Sequence, residues 1–125
     1  SGRRLRNELT LDITGADDTA AVDARIEKET GQIDKKNILK ITLTGSVPIE
    51  FYVDTEYLNS KYRARFYAFI IEEDLHLLKD SVRYKYDRSL RGEFVRLVLQ
   101  SDEPDDIKKN ILETGMMALS GGDIL

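Results

Sequence analysis

The chain contains no cysteine and no tryptophan, one histidine and two prolines. Without cysteine it can form no disulfide, no thiolate metal site and no cysteine nucleophile, which removes several enzyme classes together and fits a reducing compartment. One histidine is too few for a di-metal hydrolase, which needs several His, Asp and Asn ligands converging from different loops. That residue, His76, stands among Leu75, Leu77 and Leu78 and reads as a structural or surface histidine rather than a base or ligand. Long apolar runs are missing as well. None approaches the roughly 20 residues that span a bilayer, and the opening Ser1-Gly2-Arg3-Arg4-Leu5-Arg6 lacks the hydrophobic segment of a signal peptide. A cytoplasmic location with no membrane contact is therefore expected. Ser1-Gly2 ahead of arginines also reads as the remnant of a removed tag, so the chain is expected to be excised from a larger protein.

Eight glycines, two prolines and 41% hydrophobic residues in 125 are the balance of a folded chain rather than a disordered one. This length suits a single domain, residues 1–125, around one hydrophobic core. The net charge of −4 argues against a surface given over wholly to nucleic acid, although it leaves room for a local basic patch.

Leu9, Leu11 and Ile13 alternate with polar residues up to Gly15, and Leu39, Ile41 and Leu43 do the same before Gly45, so both stretches predict strands. Between them residues 18–30 predict an amphipathic helix, capped at its start by Asp17 or Asp18 and stopped at Gly31. Val47-Pro48 interrupts regular structure, Ile49 to Val53 fits either a strand or a packed loop, and Asp54 restarts a short helix. Residues 65–72, aromatic and β-branched on both faces, predict a central strand buried on both sides. Residues 74–88 predict only a connection. Ser89 then caps a helix with Leu90, Phe94, Leu97 and Val98 on one stripe. Pro104 opens another, with Asp105 and Asp106 complementing its dipole and Ile107, Ile111, Leu112, Met116 and Leu119 as its apolar side. Gly92 and Gly115 inside these helices imply that another backbone approaches closely at each. The expected fold is thus α/β (α+β): a small mixed sheet of about three to four strands with packed helices, ending in an antiparallel helix pair.

Chemistry-bearing motifs are scarce. There is no nucleophile elbow, Walker loop or Rossmann glycine signature, and Gly121-Gly122 lacks a following lysine or helix to hold a phosphate. The acidic groups Glu72-Glu73-Asp74 and Asp102-Glu103 are accounted for by solvation and by a helix start. More suggestive is the alternation of cations with aromatics: Lys61, Arg63 and Arg65 around Tyr62, then Arg83, Lys85, Arg88 and Arg91 around Tyr84 and Tyr86. Cations neutralise phosphates and aromatic rings stack on unpaired bases, which is the chemistry of a DNA contact. The same alternation arises when an edge strand turns tyrosines inward and cations toward water, so both explanations stand.

The run Ser89-Leu90-Arg91-Gly92-Glu93-Phe94-Val95-Arg96-Leu97, followed by Thr114-Gly115-Met116-Met117-Ala118-Leu119-Ser120-Gly121-Gly122, resembles the C-terminal region of bacterial SbcD-like or YhaO-like DNA-repair exonucleases of the metallophosphoesterase superfamily. The likeness is strongest over residues 87–125. It implies an upstream phosphoesterase domain holding two metal ions, commonly manganese. The family's Asp-x-His, Gly-Asn-His-Asp and His-x-His motifs match no residue here, so neither catalysis nor a cofactor carries over to this chain. What the resemblance implies for it is an accessory domain that caps the active site, helps to select DNA ends and works beside an SMC-like ATPase. Arg83, Lys85, Arg88 and Arg91 are then the first candidates for DNA contact, followed by Lys61 and Arg63. The alternative is a protein-interaction or homodimerisation module that uses exposed parts of the terminal helices, among them Met116 and Met117.

Overall fold

The computed structural model describes residues 5–78 and 82–122, the side chains of residues 82, 83 and 120–122 excepted. Its elements are β1 (Arg6–Asp12), α1 (Thr19–Thr30), β2 (Ile38–Val47), α2 (Thr55–Arg63), β3 (Ala68–Leu77), α3 (Val82–Lys85), α4 (Leu90–Gln100) and α5 (Asp105–Gly122). Two compact units result. The first takes the chain up to Val47 together with Phe51–Leu75; the second takes Pro48–Glu50 and the chain from His76 onward. Buried apolar side chains gather in two clusters, where chain length alone suggests one core.

In the first unit, the Asp18 carboxylate accepts the Ala21 N–H at 2.9 Å and starts α1 as its N-cap. The helix returns the chain so that β2 pairs with β1 in parallel, Leu9 opposite Ile41 and Leu11 opposite Leu43. A second crossover through α2 delivers β3, and the strand order is β1-β2-β3. The Tyr67 N–H donates to the Lys35 carbonyl at 3.0 Å just ahead of both strands, and Lys40 meets Glu72 at 3.4 Å five residues further along each. β2 and β3 therefore also run the same way, and the three-stranded sheet is parallel rather than mixed. Helical connections between successive strands make this possible, since a parallel pair cannot be joined by a tight turn.

The central strand is β2, not the aromatic segment. Leu39, Ile41 and Leu43 are fully buried with Val22 and Ile26 of α1 and Leu58 and Tyr62 of α2, each worth roughly 1.5–3 kcal/mol in burial. β3 lies at the edge of the sheet and starts only at Ala68, with Phe69 and Leu75 inward and Ile70, Glu72 and Asp74 exposed. Its double-sided apolar composition reflects Phe66 and Phe69 packing in the cluster, not burial of both strand faces. β2 runs through Gly45 to Val47 because that glycine adopts φ +110°, which lets the backbone pass the Asp12 and Thr14 side chains.

The second unit is helical around Ile49, Leu77, Tyr84, Val95, Val98 and Leu112. Residues 74–88 are more than a connection, since they complete β3 and form the single turn α3. Ser89 Oγ accepts the Gly92 N–H at 3.1 Å and caps α4. The buried stripe of α4 is Gly92, Val95 and Val98, whereas Leu90 and Leu97 face outward. On α5 Leu112 is buried and Met116 half-buried, while Ile107 and Ile111 are exposed and Lys108 and Lys109 take inward places. Lys108 Nζ donates to the Leu99 carbonyl at 3.0 Å and Lys109 Nζ meets Glu113 at 3.0 Å, so neither buried ammonium lacks a partner. Leu99 beside Lys108, and Phe94 beside Gly115, make the two helices antiparallel.

Candidate nucleic-acid and partner surfaces

Lys61, in the first unit, is an internal ion-pair partner. Its Nζ donates to Asp23 at 2.6 Å and lies 4.0 Å from Glu27, both on α1. Arg65 pairs with Glu27, and the Tyr62 hydroxyl donates to Asp23 and lies 3.1 Å from a Glu27 carboxylate oxygen. Both cations sit near the Tyr62 ring, Lys61 Nζ at 5.3 Å and the Arg65 guanidinium at 5.1 Å from its centroid. The hydrogen bond to Asp23 pushes the Lys61 ammonium pKa up, and the Arg65 guanidinium holds Glu27 below the usual carboxylate range. Burial first, and then the bond to Asp23, pushes the Tyr62 phenol up, so its proton stays in place. The cluster clamps α1 to α2. Arg63 is exposed, with its Nε donating to the Phe69 carbonyl at 3.4 Å.

The second basic group is held differently. Tyr84 points inward and its hydroxyl donates to Glu50. Arg96, two turns into α4 from the capping serine, donates to the Tyr84 carbonyl at 2.6 Å and to the Asp87 carbonyl. The Asp87 carboxylate accepts the Ser89 N–H at 2.8 Å, and a Cβ at Gly92 would run into the Asp87 backbone. The segment between α3 and α4 is thereby fastened to α4, which leaves Lys85, Tyr86 and Arg88 facing out. Tyr86 is 76% exposed, with Lys85 Nζ 5.5 Å from its ring centroid. Arg91 is half-buried in the first turn of α4, and the side chain of Arg83 lies outside the described residues.

A third surface is apolar. Leu90 and Leu97 are 68% and 69% exposed, and Ile107 and Ile111 are 39% and 38% exposed. Phe94, Asn110, Ile111, Thr114 and Gly115 line an open depression on the helix pair. The Phe94 ring lies where a Cβ at position 115 would go, so the missing side chain of Gly115 is what seats it. Met116 is half-buried and Met117 exposed.

His76 is at the surface with its Nδ1 3.6 Å from Asp105, whose carboxylate also accepts the Leu77 N–H at 3.2 Å. Among the described residues no group of three or more His, Asp and Glu side chains could hold a metal ion, and no helix is long and apolar enough to cross a membrane.

Arg96 escaped the reading of the sequence because nothing distinguishes an arginine gripping carbonyls from one on a solvated face. The clamp does leave a signal in the sequence: Asp23 and Glu27 one turn apart on one helix, against Lys61 and Arg65 four residues apart around a tyrosine. The fold belongs to the α/β class with a parallel sheet. No protein-family model, curated protein or solved structure matches this chain.

Proposed function

We propose that the chain is the non-catalytic C-terminal accessory domain of a metal-dependent DNA-repair exonuclease, where it caps the active site of an upstream phosphoesterase domain and helps to bind or select DNA. The observation that carries this reading is the outward set Lys85, Tyr86 and Arg88, pinned from behind by Arg96. Two cations beside an exposed ring offer phosphate neutralisation together with base stacking. The resemblance of residues 87–125 to such exonucleases supports the same reading. Manganese would belong to the upstream domain, as the resemblance implies. The partner would be an SMC-like ATPase and the location the cytoplasm. Arg83 and Arg91 extend the proposed contact along the chain. Lys61 and Arg63, in the first unit, remain candidates of lower rank, since Lys61 already pairs with Asp23.

The test is charge reversal at Arg83, Lys85, Arg88 and Arg91, followed by fluorescence anisotropy with single-stranded and blunt-ended DNA across a salt series. Binding weaker by at least about tenfold, with a shallower salt dependence, supports the reading. Unchanged affinity with an unchanged slope defeats it. Reading the gene upstream of the codon for Arg3 tests the parent independently: the Asp-x-His and Gly-Asn-His-Asp motifs are expected there.

A second reading, a protein-interaction or dimerisation module with no nucleic-acid role, is favoured by a different observation. Leu90 and Leu97 are large, apolar and more than two-thirds exposed on the face of α4 turned away from its core.

A further inference from the structure

We infer that the outer face of α4 and α5 is the surface through which two copies of this chain pair, helix pair against helix pair, in an antiparallel four-helix bundle. The inference deepens the second reading above and rests on it.

Both helices carry a second apolar row besides the one that faces their core. On α4 it is Leu90, Phe94 and Leu97; on α5 it is Ile107, Ile111, Thr114 and Ala118. The alternating steps of three and four residues match the seam by which helices pack on other helices. Of these two rows only Phe94 also packs against the inward cluster, whose buried members on the two helices are Val95, Val98 and Leu112. The register set by Leu99 with Lys108 and by Phe94 with Gly115 brings Leu97 level with Ile111 and Leu90 level with Ala118. The two rows therefore form one face. At its middle Phe94 sinks onto Gly115 and leaves a depression that a side chain from outside can enter.

The charges at the two ends of this face argue for a second copy rather than an unrelated helix. Asp102, Glu103 and Asp106 are exposed at the end where α4 passes to α5. Lys85 and Arg88 are exposed at the other end, where α4 begins. The 11 residues of α4 separate the two groups, about 16 Å at 1.5 Å per residue. A two-fold axis perpendicular to the helices sets the acidic end of each copy against the basic end of the other, twice over, as an isologous contact requires. A parallel arrangement would set like charges together. One surface thus supplies both halves of the complementarity.

Sedimentation equilibrium of the 125-residue chain over a concentration series tests this. The mass is expected to rise with concentration to twice 14.3 kDa. Leu97→Lys, at an exposed position, should leave the far-UV circular dichroism unchanged and weaken pairing by at least about tenfold. Arg88→Glu should weaken it at low salt, and adding Glu103→Arg should restore it, a rescue that misfolding cannot imitate. A chain that stays monomeric at every concentration overturns the inference, as does a dimer indifferent to Leu97→Lys. If the monomer still binds anilinonaphthalene sulfonate and Leu97→Lys abolishes that binding, only self-pairing falls and the face remains a docking surface. A monomer that binds no dye removes the interaction reading as well.

Discussion

The Tyr62 hydroxyl donates a hydrogen bond to the Asp23 carboxylate where α2 crosses α1, with both residues buried and the Lys61 ammonium on the other carboxylate oxygen. A phenol and an ammonium together replace the water that the carboxylate gives up. This arrangement lets an acidic residue occupy an inward position between two helices.

Tyr62→Phe removes the donor and keeps the ring, including its stacking on Phe69 at 5.1 Å between centroids. The Asp23 charge then stays buried with one partner fewer, and the expected loss is about 1.5–3 kcal/mol, read as a lower urea midpoint with unchanged slope. Asp23→Ala should behave differently, because it strands the hydroxyl and the ammonium together. If Tyr62→Phe left the midpoint in place, the clamp would contribute nothing to stability.

Glu27 has a pKa lowered from 4.5 by its pairing with Arg65, so its stabilisation is present above that value and disappears as pH falls through the lower folded one. Lys61 is raised from 10.5, so its share is present below that value and lost as pH rises through the folded one. The contribution of this pair of groups to thermal stability should therefore fall at both ends of the pH range. In Glu27→Gln the gap to the wild type should close as pH drops from 4.5 through the lower folded value. A gap that persisted in acid would show that the carboxylate charge is not what the pairing uses.

Gly115→Ala tests the seat of Phe94. Alanine is the better helix former by about 1 kcal/mol, yet its methyl would overlap the Phe94 ring. Net destabilisation of roughly 1–3 kcal/mol is expected, with partial recovery in Gly115→Ala/Phe94→Leu. A stabilised single variant would mean that the ring moves aside at no cost. Gly92→Ala should show no such recovery, because its obstacle is the Asp87 backbone.

Arg96→Ala frees the carbonyls of Tyr84 and Asp87. If Lys85, Tyr86 and Arg88 bind DNA as a fixed group, this change should lower affinity about three- to tenfold through lost preorganisation, without removing any contact. Faster amide exchange at residues 84–88 would accompany it. Unaltered affinity alongside altered exchange would separate the grip of Arg96 from recognition.

Elements whose signals are local were legible. The caps at Asp18 and Ser89, the alternation in β1 and β2, and the Pro104 start of α5 depend on neighbours within a few residues, and each appears where the pattern puts it. The phase of α4 was not. Its periodicity admits two apolar stripes, Leu90-Phe94-Leu97-Val98 and Val95-Val98 beside Gly92, and hydrophobicity favours the first because leucine and phenylalanine are larger. The structure buries the second, since the close approach of Asp87 and the grip of Arg96 turn the Gly92 side inward. The edge position of β3 was misread for a related reason: its aromatic neighbours Phe66 and Phe69 report burial in a cluster, which composition cannot distinguish from a place in mid-sheet.

The candidate basic residues divide along the same line. That Lys61 and Lys85 are cations beside tyrosines is written in the chain. That one is spent on Asp23 while the other faces water depends on which helix lies across from it, and that is settled only when residues about forty positions apart meet. The alternation of β1 and β2 and the starts of α1, α4 and α5 follow from short-range hydrogen bonding and periodicity, which act within a few residues. The direction of the third strand, the phase of α4 and the choice between a paired and a free cation belong to packing, because each compares two arrangements that look alike locally and differ only in what they bury.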